Sequence, residues 1–452
     1  MKQKTENKKK THINIILIIG LICIIFPTFL RFLSSNYYVY SGDSYKTLMI
    51  LEDTNFYKYL VVNNNITFIK DNIMIIFLII QLLIGILCLY IFFYIIKTIT
   101  NNSEIAFYSS IVLASSTTFV FLFSSINSTG LAILFSLLGF ISFLQNRKIS
   151  FLFFFLIPLI NFHIFILSLF FLLIYTFYYS EKTVLFYVIL VFSVLSALYV
   201  LYTQPIYLQL FIDRENTGFL SLTGVLTGYS IPFLMLSLLG IVVQYRKSTI
   251  MTTFLLLVFT ALSFSSSILR IFNIFILSLY AGIGVFYLVS REWQVKELKK
   301  IILMLIICSF LFSTLAFCNL LKSEMPDKNY YEAMYFIQQK TDNNSIILSS
   351  EENGYYIQYF SKRKTYVDDE SHIHYNYYYL LNNSREIYAS RNLKITISLL
   401  NNSGITHIFL DNKMKKNLWQ NKEDGLYFLM LHNENFINLY NKNGYEIWRY
   451  SR

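Results

Sequence analysis

Charged residues are scarce in this chain: Asp, Glu, Lys and Arg make up 14% of its 452 residues, whereas 55% are hydrophobic. An ordinary soluble domain carries about 25% charged residues, so the composition argues against a single globular protein in water. Proline is also rare, with 5 residues against 43 phenylalanines and 36 tyrosines, which excludes collagen-like, linker-like and disordered chains. The class that remains is a polytopic membrane protein with enough chain left over for a soluble domain.

The sequence lacks the cysteine and glycine motifs on which several kinds of binding site depend. All four cysteines lie in apolar segments and none follows Cys318, so neither a disulfide scaffold nor a cysteine-based zinc site is expected. The chain has no G-x-G-x-x-G motif, no P-loop and no H-E-x-x-H motif. Binding of ATP or a nucleotide sugar through a glycine-rich phosphate loop is therefore not supported.

The net charge is +11, and the positions of the basic residues along the chain indicate a membrane topology. After residue 318 the 16 basic and 15 acidic side chains nearly cancel, and the basic excess lies earlier, in short clusters between apolar runs. This distribution argues against a nucleic-acid partner, which would need a continuous basic face. It is typical of the cytoplasmic loops of membrane proteins.

The apolar segments predict eleven membrane crossings. They are 13–33, 73–96, 105–124, 129–144, 150–161, 164–179, 183–203, 226–244, 250–266, 269–289 and 301–318. The stretch 150–179 is ambiguous, because it forms either one tilted helix or two short helices that turn between Asn161 and His163. Two helices place 15 Lys and Arg on the side of the N-terminus and only 4 on the other side. By the positive-inside rule, the N-terminus is then cytoplasmic and the C-terminal part extracellular, in a multi-pass protein of the plasma membrane.

Two domains follow from this topology. Residues 1–318 are expected to form a multi-span transmembrane domain with an external loop, 34–71, and residues 319–452 an external soluble α/β domain. In the soluble domain, helices are predicted over 328–340, 353–361 and 393–402, and strands over 345–350, 364–368 and 405–411. Alternating apolar residues on both sides of Asn443 and Gly444 predict a terminal hairpin.

Few acidic residues on the outer face are placed for chemistry. Asp43 lies about ten residues beyond the first span and just above the membrane, where a carboxylate acts as a general base toward an acceptor or binds a divalent metal. The alternative is a helix N-cap. Glu52 adjoins Asp53, and adjacent side chains on a helix point about 100° apart, so a solvated face is the simpler interpretation of that pair.

Two arginines, Arg31 and Arg270, lie within the outer ends of apolar spans, where a cation is costly and usually functional. At that depth a guanidinium can bind a lipid phosphate in a bidentate manner, and the alternative is snorkelling to the headgroups. Arg270 follows three serines in a short turn, which favours a phosphate or carboxylate partner for it.

Three histidines are weaker candidates. His163 lies at the turn of the split span, either as a polar turn residue or as a substrate contact. His372 and His374 are two residues apart beside the acidic residues 368–370, which allows a metal site on a strand, although a solvated acidic loop is the simpler interpretation.

This organisation resembles the C-type (GT-C) glycosyltransferases, which include oligosaccharyltransferase catalytic subunits and the protein mannosyltransferases. The segment SSINSTGLAILFSLLGFISFLQNRK is similar to the third and fourth spans of that superfamily. The segments YYEAMYFIQQKTDNNSIILSSEENGYYIQYFSKRKTYVDDES and ISLLNNSGITHIFLD resemble its soluble domain. The likeness covers nearly the whole chain, in architecture more than in sharp motifs.

The resemblance implies inverting transfer of a sugar from a polyprenyl-phosphate donor to a protein or glycan acceptor on the outer face of the bilayer. By position, Asp43 matches the catalytic aspartate of the first loop, as base or as a ligand of Mg²⁺ or Mn²⁺. Arg270 matches the arginine that holds the donor phosphate, and Arg31 is a second candidate for that contact. The remaining candidates for lining the substrate cleft are His163, Glu52 and Tyr355.

Two features depart from the oligosaccharyltransferases. The loop from Ser124 to Thr129 contains no carboxylate where those enzymes carry a second acidic motif, and Asn353-Gly354-Tyr355-Tyr356 stands in place of their WWDYG motif. A metal-independent monosaccharide transferase therefore fits better than sequon-directed N-glycosylation. Two alternatives stay open: an inactive relative that acts as an envelope binding or assembly protein, and a flippase or transporter of lipid-linked sugars.

Overall fold

The computed structural model describes residues 2–33, 45, 49, 66–178, 183–203, 220–221, 228–245, 250–264, 266–324, 326–368, 377–419, 421 and 424–451. The chain divides into two compact units. The helical unit contains Met1–Ser34 and Thr67–Glu324, and the sheet unit contains Ser35–Ile66 and Met325–Arg452. The sheet unit is thus built from two separate stretches of the sequence, one of which precedes most of the helices.

The helical unit consists of apolar helices. Those described are α1 Lys2–Leu33, α2 Ile66–Thr100, α3 Ser103–Ala114, α4 Thr117–Ser124, α5 Ser128–Leu144, α6 Ser150–Ile160, α7 Phe162–Tyr178, α8 Thr183–Thr203, α9 Ile231–Tyr245, α10 Ile250–Ser263, α11 Ser267–Ser290 and α12 Lys296–Glu324. Two short parallel strands, β1 Leu220–Ser221 and β2 Tyr229–Ser230, pair between α8 and α9. Every predicted apolar segment overlaps one of these helices, or a bent pair of them.

Helix length supports fewer crossings than the predicted eleven. Among the described residues, 4 helices are long and apolar enough to cross a membrane, and 5 crossings result if the bent pair α3 and α4 is one span. Of the remaining apolar helices, α8 has 21 residues, and the others, α5, α6, α7, α9 and α10, have 11–17, whereas about 20 residues are needed to cross a ~30 Å hydrocarbon core. The structure is that of a helical membrane protein, and the count of eleven stays a prediction.

The third predicted span, 105–124, is a broken helix, because α3 and α4 meet at an angle of 65°. Ser and Thr side chains satisfy backbone groups at and near the break. Thr314 on α12 donates to the carbonyl of Ser115 at 3.0 Å, and the hydroxyls of Thr117 and Thr118 donate to the carbonyl of Gly228 at 3.2 and 2.9 Å. In apolar surroundings such internal partners are what makes a helix break tolerable.

The stretch 150–179 forms two helices, as predicted. They separate at Asn161, whose extended backbone ends α6. The side-chain oxygen of Asn161 then accepts hydrogen bonds from the backbone N–H groups of His163 and Ile164, each at 3.1 Å, which caps the start of α7.

Helix α11 lies in close contact with its neighbours because glycines line the contacts. A Cβ atom on Gly240 of α9 would overlap the backbone carbonyl of Tyr280, and one on Gly282 would overlap Ser109 of α3. Small residues allow helix backbones to approach in this way. The packing fixes the position of α11, which carries Arg270.

The sheet unit contains a mixed five-stranded sheet with helices. Its strands are β3 Ile346–Leu348, β4 Lys364–Thr365, β5 His407–Leu410, β6 Phe436–Lys442 and β7 Tyr445–Tyr450, in the order β4-β3-β5-β7-β6. Its helices are α13 Lys328–Lys340, α14 Tyr377–Ala389, α15 Leu393–Asn402, α16 Asn412–Leu418 and α17 Gly425–His432. Strand β3 is parallel to β4 and β5, whereas β7 is antiparallel to β5 and β6.

The hydrophobic core of the sheet unit surrounds β5, whose four residues are all buried. Ile408 and Leu410 of this strand join one cluster with Leu348, Leu400 and Trp448. The hairpin between β6 and β7 turns at Asn443 and Gly444, which have φ angles of 51° and 89°. Both residues thus lie in the left-handed region that a two-residue hairpin turn requires, as the sequence predicts.

Candidate functional site

The candidate residues fall into two groups. Asp43, Glu52, His372 and His374 lie outside the described residues, and Arg31 lies in α1 with a side chain that is not described. Those with described side chains are Arg270, His163 and Tyr355.

Arg270 lies in the first turn of α11. The helix begins after Ser266, whose hydroxyl accepts a hydrogen bond from the backbone N–H of Leu269 at 3.5 Å. The Arg270 side chain is only 5% exposed, and its Nη1 donates to the carbonyl of Phe264 at 3.1 Å. A permanently charged guanidinium and the positive end of the helix dipole therefore coincide here.

A buried polar network lies one turn further along α11. Asn273 is 0% exposed, and its side-chain amide donates to the hydroxyls of Tyr229 at 3.1 Å and Ser263 at 3.2 Å. The two hydroxyls are 2.9 Å apart, and Ser263 donates to the carbonyl of Thr260 at 2.6 Å. The charge of Arg270 interacts electrostatically with Tyr229. We call these four residues, Tyr229, Ser263, Arg270 and Asn273, the Arg270 cluster.

The Arg270 cluster has the chemistry of an anion site. It combines a guanidinium with buried hydroxyl and amide groups at a helix N-terminus, a set that favours an oxyanion such as phosphate. The side-chain oxygen of Asn273 accepts no hydrogen bond from the part of the chain that the structure describes. Sequence reasoning identified Arg270 but missed its three partners, although the i, i+3 spacing of Arg270 and Asn273 was a signal.

His163 lies at the beginning of α7 and is partly buried. Its helix packs against α11, since the ring centroids of Phe171 and Phe272 are 5.0 Å apart. The contact joins the helix that carries His163 to the helix that carries Arg270.

In the sheet unit, Tyr355 is only 2% exposed. It belongs to an irregular helical segment, 351–361, which follows β3. Close packing holds this segment: a Cβ atom on Gly354 would overlap the Cβ of Asp368, and Gln358 donates to the carboxylate of Asp368 at 2.6 Å.

An aromatic pocket in the sheet unit holds Tyr45, a residue of the predicted external loop. Tyr45 is 0% exposed. Its ring centroid is 5.2 Å from that of Tyr356, 5.1 Å from that of Tyr359 and 5.0 Å from that of Phe360. Its hydroxyl is 3.5 Å from that of Tyr331 on α13. We call Tyr331, Tyr356, Tyr359 and Phe360 the aromatic socket.

The carboxyl ends of the parallel strands β3 and β5 carry polar residues. Ser349 and Ser350 follow β3, Asp411 follows β5, and Glu352 forms an exposed ion pair with Lys413 at 2.8 Å. Because β4 and β5 lie on opposite sides of β3, this is a topological switch point, where ligands of open α/β sheets commonly bind.

The described residues do not form a metal site: they include no group of three or more His, Cys, Asp or Glu side chains that could hold an ion. Asp43, which we consider a possible metal ligand, is not among them.

Among solved structures, the chain is similar to oligosaccharyltransferases, which are membrane glycosyltransferases of the GT-C superfamily. The apo enzyme from Archaeoglobus fulgidus matches with a TM-score of 0.64 and 10% identity, over 98% of this chain and 74% of that chain. The resemblance inferred from the sequence is confirmed at the level of the fold.

Two further structures of the Archaeoglobus fulgidus enzyme also match. The complex of AglB with an inhibitory peptide and a dolichol-phosphate has a TM-score of 0.56 and 10% identity, over 99% of this chain and 75% of that chain. The complex with Zn and sulfate has a TM-score of 0.57 and 11% identity, over 97% of this chain and 73% of that chain. No protein-family model and no curated protein matches the sequence.

Proposed function

We propose that this chain is a membrane glycosyltransferase that moves a sugar from a polyprenyl-phosphate donor to a protein or glycan acceptor on the extracellular face of the plasma membrane. The observation that carries the proposal is the Arg270 cluster, a buried cationic site in a chain with the GT-C fold. Burial of an arginine in an apolar helical unit is costly and marks function.

On the donor side, Arg270 binds the phosphate that becomes the leaving group. Negative charge develops on that phosphate as its bond to the sugar breaks, and a preorganised cation at a helix N-terminus stabilises it. In this proposal Asn273, whose amide donates to the hydroxyl of Tyr229, and Tyr229 itself contact the phosphate or the sugar next to it. The complex of the archaeal neighbour with a dolichol-phosphate supports a lipid phosphate as the ligand of this fold.

On the acceptor side, Asp43 is the proposed general base. The acceptor oxygen attacks the anomeric carbon, the bond from that carbon to the phosphate oxygen breaks, and the acceptor proton passes to the Asp43 carboxylate. Attack from the face opposite the leaving phosphate inverts the anomeric configuration.

The acceptor is proposed to bind at the carboxyl ends of β3 and β5, next to segment 351–361. The inhibitory peptide in the neighbour's complex supports a peptide-like acceptor. The absence of carboxylates between Ser124 and Thr129 and of a WWDYG motif favours transfer of a monosaccharide over sequon-directed transfer of an oligosaccharide.

The test uses purified full-length protein in lipid vesicles with a panel of polyprenyl-phosphate sugars, with and without EDTA, and measures release of polyprenyl phosphate. We expect at least one donor to be consumed, and Asp43→Asn to lower kcat by about 10²–10⁴-fold, the usual contribution of a general base. Asn441→Asp is the matched control. It exchanges the same two side-chain types, in the opposite direction, at an exposed residue of β6. Full activity of Asp43→Asn refutes the assignment of the base.

A further inference from the structure

The buried side chain of Asn273 presents one unused hydrogen-bonding atom. Its side-chain nitrogen donates to the hydroxyls of Tyr229 and Ser263. Its side-chain oxygen is buried as well, yet it accepts no hydrogen bond from any residue that the structure describes. A buried acceptor without a donor is costly, and a native protein keeps such a group for a reason such as the binding of a ligand.

The neighbours of Asn273 determine which way its amide points. Ser263 donates its only proton to the carbonyl of Thr260 at 2.6 Å. Its oxygen therefore acts as an acceptor toward Asn273, at 3.2 Å. An amide turned by half a rotation would bring two acceptor oxygens together at that distance, which is unfavourable. The nitrogen thus faces the pair of hydroxyls, and the unused oxygen lies on the other side of the amide.

The position of this oxygen relative to Arg270 is well defined. The Tyr229 ring stacks on that of Phe233 with a centroid distance of 6.2 Å and meets the edge of Phe264 at 5.8 Å. The carbonyl of the same Phe264 accepts a hydrogen bond from Arg270. Arg270 and Asn273 are also three positions apart on α11, where such residues are neighbours on one face. The guanidinium and the unused oxygen are therefore held by the same packed groups.

The two groups differ in the ligand atoms that they can bind. A guanidinium carries only donors, which suit the oxygens of an ionised phosphate, whereas an amide oxygen is an acceptor and is repelled by them. The partner of the Asn273 oxygen must therefore be an O–H or N–H group. In a sugar linked to a phosphate, the O–H or N–H group nearest to that phosphate lies on the carbon next to the anomeric carbon.

We infer that Asn273 is a specificity-determining residue whose side-chain oxygen accepts a hydrogen bond from the hydroxyl or amide N–H on the carbon next to the anomeric carbon of the donor sugar. The site then accepts hexoses and 2-acetamido hexoses and discriminates against 2-deoxy sugars. A buried polar group that pairs with a substrate hydroxyl rejects an analogue without it, because the group is then left unpaired. The inference rests on the proposed function insofar as the Arg270 cluster binds the donor.

The first test measures binding and does not depend on turnover. Full-length protein in lipid vesicles is titrated with polyprenyl-phosphate glucose, with polyprenyl-phosphate mannose and with the 2-deoxy derivative that both sugars share. We expect the wild type to bind the 2-deoxy derivative about 10- to 100-fold more weakly than the better of the two hexoses. Equal binding of the 2-deoxy derivative by the wild type overturns the inference, and this comparison needs no variant that has to fold.

Two variants then assign the preference to the Asn273 oxygen. In Asn273→Ala the ratio of the two affinities should fall to within about twofold of unity, because the missing hydroxyl has no partner left to lose. Ser263→Ala is the matched control, since it removes one partner of the Asn273 nitrogen and leaves the oxygen in place. It should keep the preference of the wild type. Loss of the preference in both variants, or in neither, overturns the role of the oxygen.

The second test measures release of polyprenyl phosphate from the same donors, and it separates this inference from the proposed function. A wild type that prefers a hexose donor in binding but releases polyprenyl phosphate from none of the donors refutes the transferase and supports the role of Asn273. Release from a hexose donor without any binding preference over the 2-deoxy derivative supports the transferase and overturns the role of Asn273. A wild type that binds none of the probes overturns both.

Discussion

The side-chain amide of Asn353 donates a hydrogen bond to the carboxylate of Asp411 at 2.7 Å. This bond links the segment that follows β3 to the first residue after β5, at the edge of the sheet where we place the acceptor. Asp411 also caps α16 by accepting from the backbone N–H of Met414 at 2.7 Å. One carboxylate thus fixes both loops at the switch point.

Asn353→Ala should destabilise the sheet unit by about 1–3 kcal/mol, because the substitution leaves buried polar partners without their hydrogen bonds. Unfolding can be followed by the fluorescence of Trp419 and Trp448, which are both buried in this unit, in a Trp293→Phe background. The exposed residue Asn421 provides the control, and Asn421→Ala should leave the transition unchanged. Equal transitions for the two variants contradict the role of the Asn353 bond.

Glu446 is a second buried anchor of the sheet unit. Its carboxylate accepts hydrogen bonds from Lys415 at 3.0 Å, Tyr427 at 3.1 Å and the indole of Trp448 at 2.9 Å. Glu446→Gln should cost about 1–3 kcal/mol, because Lys415, with a side chain that is 19% exposed, loses its counter-charge.

The matched control for Glu446 is Glu332, which pairs with Lys442 at the surface of the same unit. Surface pairs contribute little to stability, so Glu332→Gln should not shift the unfolding transition. A larger shift for Glu332→Gln than for Glu446→Gln contradicts this ranking.

Because of His407, the stability of the sheet unit should depend on pH. Burial lowers the pKa of its imidazole, Arg449 lowers that pKa further, and Asp342 opposes the shift. The unfolded chain therefore binds a proton more readily than the folded chain, so the stability contribution of His407 is present above the unfolded pKa of about 6.5 and is lost as the pH falls toward the folded value.

We expect the thermal unfolding temperature of the wild type to fall between pH 7.5 and pH 5, and to fall less in His407→Gln. The exposed residue His432 is the control, and His432→Gln should keep the wild-type slope. Identical pH slopes for the wild type and His407→Gln contradict the assignment to His407.

A substitution at Gly240 tests the close helix packing that positions α11. A methyl group at this position would meet the backbone carbonyl of Tyr280, which cannot move without displacing the helix. Gly240→Ala should therefore destabilise the helical unit by about 1–3 kcal/mol and reduce donor turnover. Gly20→Ala is the matched control, since its methyl group would meet only the side-chain end of Leu89. Heat-induced loss of the monodisperse protein in detergent measures the destabilisation, and release of polyprenyl phosphate measures the turnover. Equal behaviour of the two variants refutes the close-contact argument.

Local signals predicted most elements of the sheet unit. Helix α13 begins where expected because Asp327 accepts from the backbone N–H of Tyr330 at 2.9 Å, and the terminal hairpin follows from Asn443 and Gly444. Helix α14 was missed because its sequence, YYYLLNNSREIYA, is poor in helix formers and depends on tertiary packing of residues such as Ile387. Helix α17, GLYFLMLH, was missed because a short apolar run also fits a strand.

Of the candidate site, only a residue that stands out by itself in the sequence could be predicted. Arg270 stands out as a cation in an apolar span, whereas Tyr229, Ser263 and Asn273 are ordinary polar residues whose bonds to one another span as many as 44 positions. Tyr45 has no local signal at all, because its partner Tyr331 lies 286 positions away. Long-range pairing of this kind is a property of the folded chain.

We propose that Arg270 holds the phosphate of a lipid-linked sugar that this chain consumes. The most direct measurement compares release of polyprenyl phosphate from a radiolabelled donor by the wild type, Arg270→Ala and Arg291→Ala. Arg291 is an exposed arginine at the opposite end of the same helix. We predict that Arg291→Ala releases polyprenyl phosphate at the wild-type rate and that Arg270→Ala releases it at least a hundredfold more slowly. Equal release by the two variants would contradict the account.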